Sequence, residues 1–297
     1  FYEVAISGSI REASDKLFIS PSALSRHIKT LEEQYNTELF SRSRQGMELT
    51  DTGKVVFSYV QNFINSQRVL KNQINELKNV DTGSIYYGTI EGVLGSLILP
   101  AINKFQKVYP NVTFTGTVKS SDHTYKLVEE NMIDFGVAFE AVDRFNVEII
   151  GSFYTDLIFV VSNKKKLSEK GTQWEDLVQS PLVTLTSNFY TRKIIDIIAR
   201  ERNTLLNIVI ESDQISFLKK CILDNPNYLG IFPEFAVLEE LELGELIKIN
   251  YNNDRLKNIK TVIFQKKGRH QSHAISRFLN YLLNEVDNKL FMLEKKI

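Results

Sequence analysis

The sequence predicts a multidomain protein of the α and α/β classes, and three observations support this fold class. Residues 1–54 hold short helical patterns, a turn and a polar hairpin, and residues 50–80 contain no Pro and are predicted to form one long helix. From residue 84 to residue 297, β-rich runs alternate with helices. A chain of 297 residues, 43% of them hydrophobic, is long enough for two or three cores.

Composition excludes several classes of protein. Lys and Arg together number 36, as do Asp and Glu, so DNA could be bound only through a local basic face. The single Cys221 forms no internal disulfide and is interpreted as an inert core thiol, which fits the cytoplasm. No apolar run is long enough to cross a membrane. We find no catalytic constellation, metal-binding cluster or cofactor motif, so we expect no enzyme, no metal and no cofactor.

Two short helices joined by a tight turn are predicted near the N-terminus. Ser9 can cap the first helix, and Ser20 with Pro21 can begin the second. In the second helix Leu24 and Ile28 recur at helical spacing and are predicted to face the core. This arrangement is a helix-turn-helix, whose second helix can enter the major groove of DNA.

The outer face of the second helix and the following hairpin carry the candidate DNA-binding residues. Small polar and basic side chains there could approach base edges and hold phosphates. The predicted residues are Pro21, Ser22, Ser25, Arg26 and Lys29 on the helix, with Arg42 and Arg44 in a hairpin that would form a wing. The alternative is a purely structural helix-turn-helix, because residues 1–54 contain seven basic and eight acidic side chains.

The long helix carries a coiled-coil pattern. Apolar residues follow alternating steps of four and three, with Gln67 at the one polar position of the seam. The apolar seam consists of Val56, Val60, Phe63, Leu70, Ile74 and Leu77. We predict that this linker helix pairs with its copy in a homodimer; the alternative is an amphipathic helix that packs on its own domain.

The remaining region is predicted to fold as α/β with mostly parallel sheets covered on both faces. The predicted strands are residues 85–90, 112–118, 135–139, 157–161, 182–185, 208–211, 228–232 and 261–264. The predicted helices are residues 97–109, 124–131, 191–202, 215–223, 234–241 and 273–290.

Several of these segments together resemble the bacterial LysR-type transcription regulators. The resemblance is carried by ASDKL at 13–17, SALSRHI at 22–28, LFSR at 39–42 and LTDTG at 49–53, and more weakly by residues beyond Gly83. It implies a winged helix-turn-helix that binds promoter DNA, a long linker helix, and a homodimer or homotetramer. It also implies an effector domain similar to periplasmic solute-binding proteins, with subdomain I at 84–156 and 260–297 and subdomain II at 157–259.

A small-molecule effector is expected between the two subdomains, beyond the carboxyl ends of the strands. The candidate effector-binding residues are Glu91, Gly92, Val93, Ser120, Ser121 and Phe139 in subdomain I, and Ser187, Asn188, Tyr190, Asp213 and Phe232 in subdomain II. Hydroxyls and amides in these loops favour a small polar effector. Glu91 favours a cationic or hydroxyl-rich one, unless it is only the dipole partner of its own helix.

The sequence leaves two functions from different classes open. The first is a transcription regulator that binds DNA and responds to an effector. The alternative is a solute-binding protein with the same cleft and no role on DNA, which would leave residues 1–54 without a use.

Overall fold

The fold is described from a computed structural model, which covers residues 1–43, 46–77, 82–141, 144–164, 173–269 and 271–294. The chain divides into two compact units, Phe1–Gln73 and Ile74–Ile297. Arg44 lies outside the described residues, as do residues 78–80 of the predicted linker helix.

The first unit contains three short helices, a hairpin and most of a long helix. Its elements are α1 (Tyr2–Ser7), α2 (Ile10–Leu17), α3 (Pro21–Tyr35), β1 (Phe40–Ser43), β2 (Gly46–Leu49) and α4 (Asp51–Leu77). Ser9 and Ser20 cap α2 and α3 as predicted, since their hydroxyls accept hydrogen bonds from the backbone N–H groups of Glu12 and Ala23. Helix α1 was not predicted from the sequence.

The core of this unit holds the hairpin against the helices. Val4, Ala13, Leu24, Ile28, Leu39 and Phe40 are all buried. Strands β1 and β2 pair antiparallel. The Glu32 carboxylate accepts the backbone N–H groups of Leu39 and Phe40, at 2.8 and 3.2 Å, and so fixes the start of the hairpin. The hairpin therefore has a defined position beside α3.

Helix α4 is continuous over its 27 residues. Thr50 caps it, accepting the N–H of Gly53 at 2.9 Å. Along the predicted seam, Phe63, Leu70 and Ile74 are 63%, 56% and 43% exposed in the single chain. These apolar side chains are not buried by their own domain, which disfavours the alternative of an amphipathic helix packed on it.

The second unit contains two five-stranded sheets. The sheet of subdomain I has the order β4 (Val112–Val118), β3 (Gly83–Thr89), β5 (Phe135–Phe139), β12 (Ile259–Lys266) and β6 (Val147–Thr155). The sheet of subdomain II has the order β11 (Leu246–Ile249), β7 (Leu157–Ser162), β10 (Leu229–Pro233), β8 (Leu182–Leu185) and β9 (Ile208–Ser212). The chain crosses between the sheets after β6 and returns before β12.

The prediction of mostly parallel sheets was wrong. In subdomain I, β3 is parallel to β4 and β5, whereas β12 is antiparallel to β5 and β6. In subdomain II, β8 is parallel to β9 and β10, whereas β7 is antiparallel to β10 and β11. The antiparallel pairs arise where the chain passes between subdomains, and two of the strands involved, β6 and β11, had no prediction.

Helices cover both sheets. They are α5 (Leu99–Gln106), α6 (Ser121–Glu129), α7 (Trp174–Gln179), α8 (Tyr190–Glu201), α9 (Ile215–Asp224), α10 (Leu238–Glu242) and α11 (His273–Glu294). The predicted helix 97–109 is a π-helical turn at Leu94–Ile98 followed by α5, and the predicted helix 234–241 is a 3-10 turn at Glu234–Ala236 followed by α10. Helix α7 was missed. No helix in the described part of the chain could cross a membrane.

Candidate DNA interface and ligand cleft

The outer face of α3 is open to solvent. Pro21, Ser22, Arg26 and Lys29 are exposed and Ser25 is half-buried. On the opposite side Leu24 and Ile28 are only 3% and 5% exposed. The helix is therefore anchored by its apolar face while its small and basic side chains are accessible.

The start of α3 carries two serine hydroxyls directly after a sharp turn. The Ser20 hydroxyl lies 3.1 Å from the Ser22 hydroxyl. The preceding helix α2 ends at Leu17, and its C-cap residue Phe18 has a left-handed backbone (φ 54°) that makes the turn sharp. Lys29 and Glu33 lie 3.9 Å apart with side chains 76% and 65% exposed, so solvent screens this pair and leaves the Lys29 ammonium available.

The hairpin is present where a wing was predicted. Arg42 lies on β1, within the hairpin. Its side chain and all of Arg44 lie outside the described residues. Their contact with a DNA backbone stays a prediction.

A narrow cleft lies between the two subdomains of the second unit, with a cavity volume of about 20 Å³. Six of the predicted effector residues line it: Glu91, Gly92, Ser121, Phe139, Tyr190 and Asp213. The structure thus brings residues from four predicted loops and one strand end to one place. These loops are separated by up to about 120 positions in the sequence.

Five predicted effector residues do not line the cleft, and the prediction is corrected for them. Val93 and Phe232 are fully buried in the core. Phe232 alternates with Pro233 along β10, and because side chains alternate along a strand it is Pro233 that reaches the cleft. Ser120 precedes α6 as its N-cap residue, and Ser187 and Asn188 are exposed outside the lining.

The remaining lining residues are mostly apolar and were missed. They are Ile90, Leu185, Phe189, Thr191, Ile215 and Pro233. Ile90 and Leu185 stand at the ends of strands, one position before the loops that were predicted, so counting back one residue would have found them. The lining of the cleft is therefore more apolar than the hydroxyls and amides of the predicted loops had indicated.

Glu91 makes a contact that no sequence pattern indicated. Its two carboxylate oxygens accept the backbone N–H groups of Ile215 and Ser216, at 2.6 and 2.9 Å. These are the first two residues of α9, which belongs to subdomain II. Glu91 therefore caps a helix across the cleft, and the interpretation of Glu91 as a dipole partner of its own helix is replaced by this one.

Other contacts join the same two subdomains. The Lys193 ammonium lies 2.8 Å from the Asp122 carboxylate, and this hydrogen bond lowers the pKa of Asp122. The rings of Phe139 and Tyr190 lie 4.8 Å apart, and burial raises the pKa of the Tyr190 hydroxyl. A Cβ atom at Gly92 would lie 2.7 Å from the ring of Phe235, so this ring packs directly on the Gly92 backbone. The cleft is held closed by residues of the chain itself.

Comparison with known proteins agrees with this architecture. Residues 1–54 match the family model described as "Bacterial regulatory helix-turn-helix protein, lysR family", and residues 78–287 match "LysR substrate binding domain". A relative from Thalassiosira pseudonana named "Probable RuBisCO transcriptional regulator" is 26% identical over 95% of this chain and 94% of its own length. The structures of CbnR, a LysR family transcriptional regulator, alone and complexed with its target DNA, each cover 96% of both chains with a TM-score of 0.68 and identities of 15% and 16%.

An exposed helix-turn-helix with a wing, followed by two α/β subdomains around a cleft, defines a DNA-binding regulator with a sensing domain. The chain belongs to the LysR family of bacterial transcription regulators. The alternative of a solute-binding protein without a DNA role is disfavoured by the match over residues 1–54.

Proposed function

We propose that this regulator places α3 in the major groove of promoter DNA through Pro21, Ser22, Ser25, Arg26 and Lys29, and grips the neighbouring backbone with Arg42 and Arg44 of the hairpin. The observation that carries this proposal is the exposed, small and basic face of α3 above the buried Leu24 and Ile28. Small side chains permit close approach to base edges, while the cations hold phosphates.

Replacement of Arg26 by alanine tests this interface. We expect affinity for the DNA upstream of the protein's own gene to fall about five- to a hundredfold, because a guanidinium contact to a base or phosphate contributes roughly 1–3 kcal/mol. Electrophoretic mobility measures the affinity. Lys107→Ala is the matched control, since it removes one exposed positive charge from the sensing domain. Retained affinity in Arg26→Ala would refute the proposed recognition helix.

We propose further that α4 pairs with the α4 of a second copy, in a homodimer or a homotetramer. The support is the exposed apolar seam of Phe63, Leu70 and Ile74. Effector binding would change the closure of the cleft and hence the spacing of two DNA-binding units along the promoter.

A charge in the seam tests the pairing. Leu70→Asp should shift the chain towards monomer in sedimentation equilibrium, because two carboxylates would be forced together in an apolar interface. Ser58→Asp adds the same charge at an exposed position on the far side of the heptad and should leave the mass unchanged. An unchanged mass in Leu70→Asp would exclude the seam as the interface.

We propose that the cleft binds a small-molecule effector and that the protein works in the cytoplasm, where its DNA is, as a regulator rather than an enzyme and without a cofactor. Support for the effector site comes from the six predicted residues that line the cleft together. A thermal-shift screen of metabolites tests it, since a ligand of the folded state raises the melting temperature.

A further inference from the structure

The N-terminal end of α9 favours a negatively charged group, and a carboxylate of the chain itself already occupies this position. The first N–H groups of a helix have no partner inside the helix, and together with the helix dipole they favour a negative charge. In α9 the N–H groups of Ile215 and Ser216 both bind the Glu91 carboxylate. That carboxylate comes from the opposite subdomain, so it stands where an anionic ligand in the cleft would be expected.

A second polar group of the same cleft has no partner. Ser121 lines the cleft and is 8% exposed, and its hydroxyl makes no hydrogen bond within the part of the chain that the structure describes. Because a buried polar group without a partner is destabilising, such a group marks a place where a ligand atom can bind. The anion position at α9 is occupied, whereas the Ser121 hydroxyl has no partner among the described residues.

The charged side chains of the lining also disfavour an anionic ligand. Among the described residues that line the cleft, Glu91 and Asp213 carry negative charge and none carries positive charge. A carboxylate that accepts two N–H groups also keeps lone pairs for further donors. An effector in this cleft therefore meets acceptors and an apolar wall.

We infer that Glu91 is a resident anion that determines effector specificity. It holds α9 in place of a ligand carboxylate, excludes anionic effectors from that helix end, and leaves the unpartnered Ser121 hydroxyl to an uncharged or positively charged effector with hydroxyl or amine donors. The exclusion of anions is a property of the cleft itself. Its effect on which effector binds rests on the proposed effector-binding function.

Acetate provides the direct test, because Glu91→Ala removes a group that differs from acetate by little more than one hydrogen. In the full-length chain we expect sodium acetate to raise the melting temperature of Glu91→Ala saturably, by roughly 2–4 °C, relative to sodium chloride at equal ionic strength. Wild type and Asp213→Ala should show no such rise. Asp213 is the matched control because it is the other acid of the lining and contacts neither α9 amide. Equal responses in wild type and Glu91→Ala, or none in Glu91→Ala, would overturn the inference.

Hydrogen exchange covers the case in which Glu91→Ala does not fold. In the isosteric Glu91→Gln the amides of Ile215 and Ser216 should exchange at least about tenfold faster than in wild type, because these amides lose a charged acceptor. The amide of Leu218, which donates to the Gln214 carbonyl inside the same helix, should not change. Unchanged exchange at Ile215 and Ser216 would refute the resident anion.

The two proposals fail in different ways. If Arg26→Ala weakens binding to the upstream DNA but acetate does not stabilise Glu91→Ala, only the inference that Glu91 is a resident anion is refuted. If acetate raises the melting temperature of Glu91→Ala but Arg26→Ala retains the DNA affinity of wild type, only the proposed DNA interface is refuted.

Discussion

Asp134→Ala is expected to lower the free energy of unfolding by about 3–5 kcal/mol, because it breaks a buried ion pair by removing the carboxylate that faces the Arg269 guanidinium. The side chains of Asp134 and Arg269 are 1% and 7% exposed and form an ion pair. Asp134 also accepts the backbone N–H of Tyr86 at 2.7 Å, and Arg269 donates to the Ile133 carbonyl. The pair therefore ties the segment after β12 to the middle of β3 and to the start of β5.

Denaturant unfolding of full-length variants measures this effect. Glu201→Ala is the matched control, because Glu201 pairs with Arg255 while both side chains are about half exposed, at 50% and 49%. Solvent screening limits that loss to about 0–1 kcal/mol. The double variant Asp134→Ala with Arg269→Ala should lose less than the sum of its single variants, because it leaves no unpaired charge. Equal losses in Asp134→Ala and Glu201→Ala would contradict the argument.

This ion pair shows what a single sequence leaves undetermined. Nothing near Asp134 in the sequence indicates a cation. Its partner stands 135 positions later, beyond the whole of subdomain II. The contact exists because the chain returns to the first sheet through β12, and that return depends on the packing of many residues together.

The DNA-binding unit could be predicted because its determinants are local. A serine cap, a proline in the first turn and apolar residues at helical spacing lie within about a dozen residues of each other, and they define both α3 and its exposed face. The strands with continuous apolar runs, such as Phe135–Phe139, were found for the same reason. Strand β6 was missed because only one of its nine residues is buried and it gives no long apolar run.

The cleft could be predicted only in part. Counting to the carboxyl ends of strands located the right loops, and six of eleven candidate residues line the cleft. The direction in which a loop residue points depends on the loop backbone, so Val93 was misassigned. Phe232 was misassigned because side chains alternate along β10 and the neighbouring Pro233 faces the cleft. The contact of Glu91 with α9 joins positions about 124 apart and depends on how two subdomains close, which no local pattern records.

Gly53→Ala should destabilise the DNA-binding unit by about 3 kcal/mol, at the upper end of the usual range for overpacking. A Cβ atom at Gly53 would lie 2.0 Å from the backbone oxygen of Leu39, and a backbone atom cannot move aside as a flexible side chain can. The same oxygen accepts the N–H of Thr50 at 3.1 Å. The substitution must therefore displace the start of the hairpin, the start of α4, or both.

The effect on DNA binding should follow the effect on stability, because Leu39 immediately precedes the strand that carries Arg42. We expect Gly53→Ala to unfold at lower denaturant concentration and to bind upstream DNA more weakly than wild type in the mobility assay. Gly95→Ala is the matched control, since Gly95 lies in a helical turn with no other heavy atom within 4 Å of the added Cβ. That variant should be neutral or gain roughly 0.4–1 kcal/mol through the lower entropy of its unfolded chain. If Gly53→Ala matched Gly95→Ala in both assays, the close contact between α4 and the hairpin would not be what positions the wing.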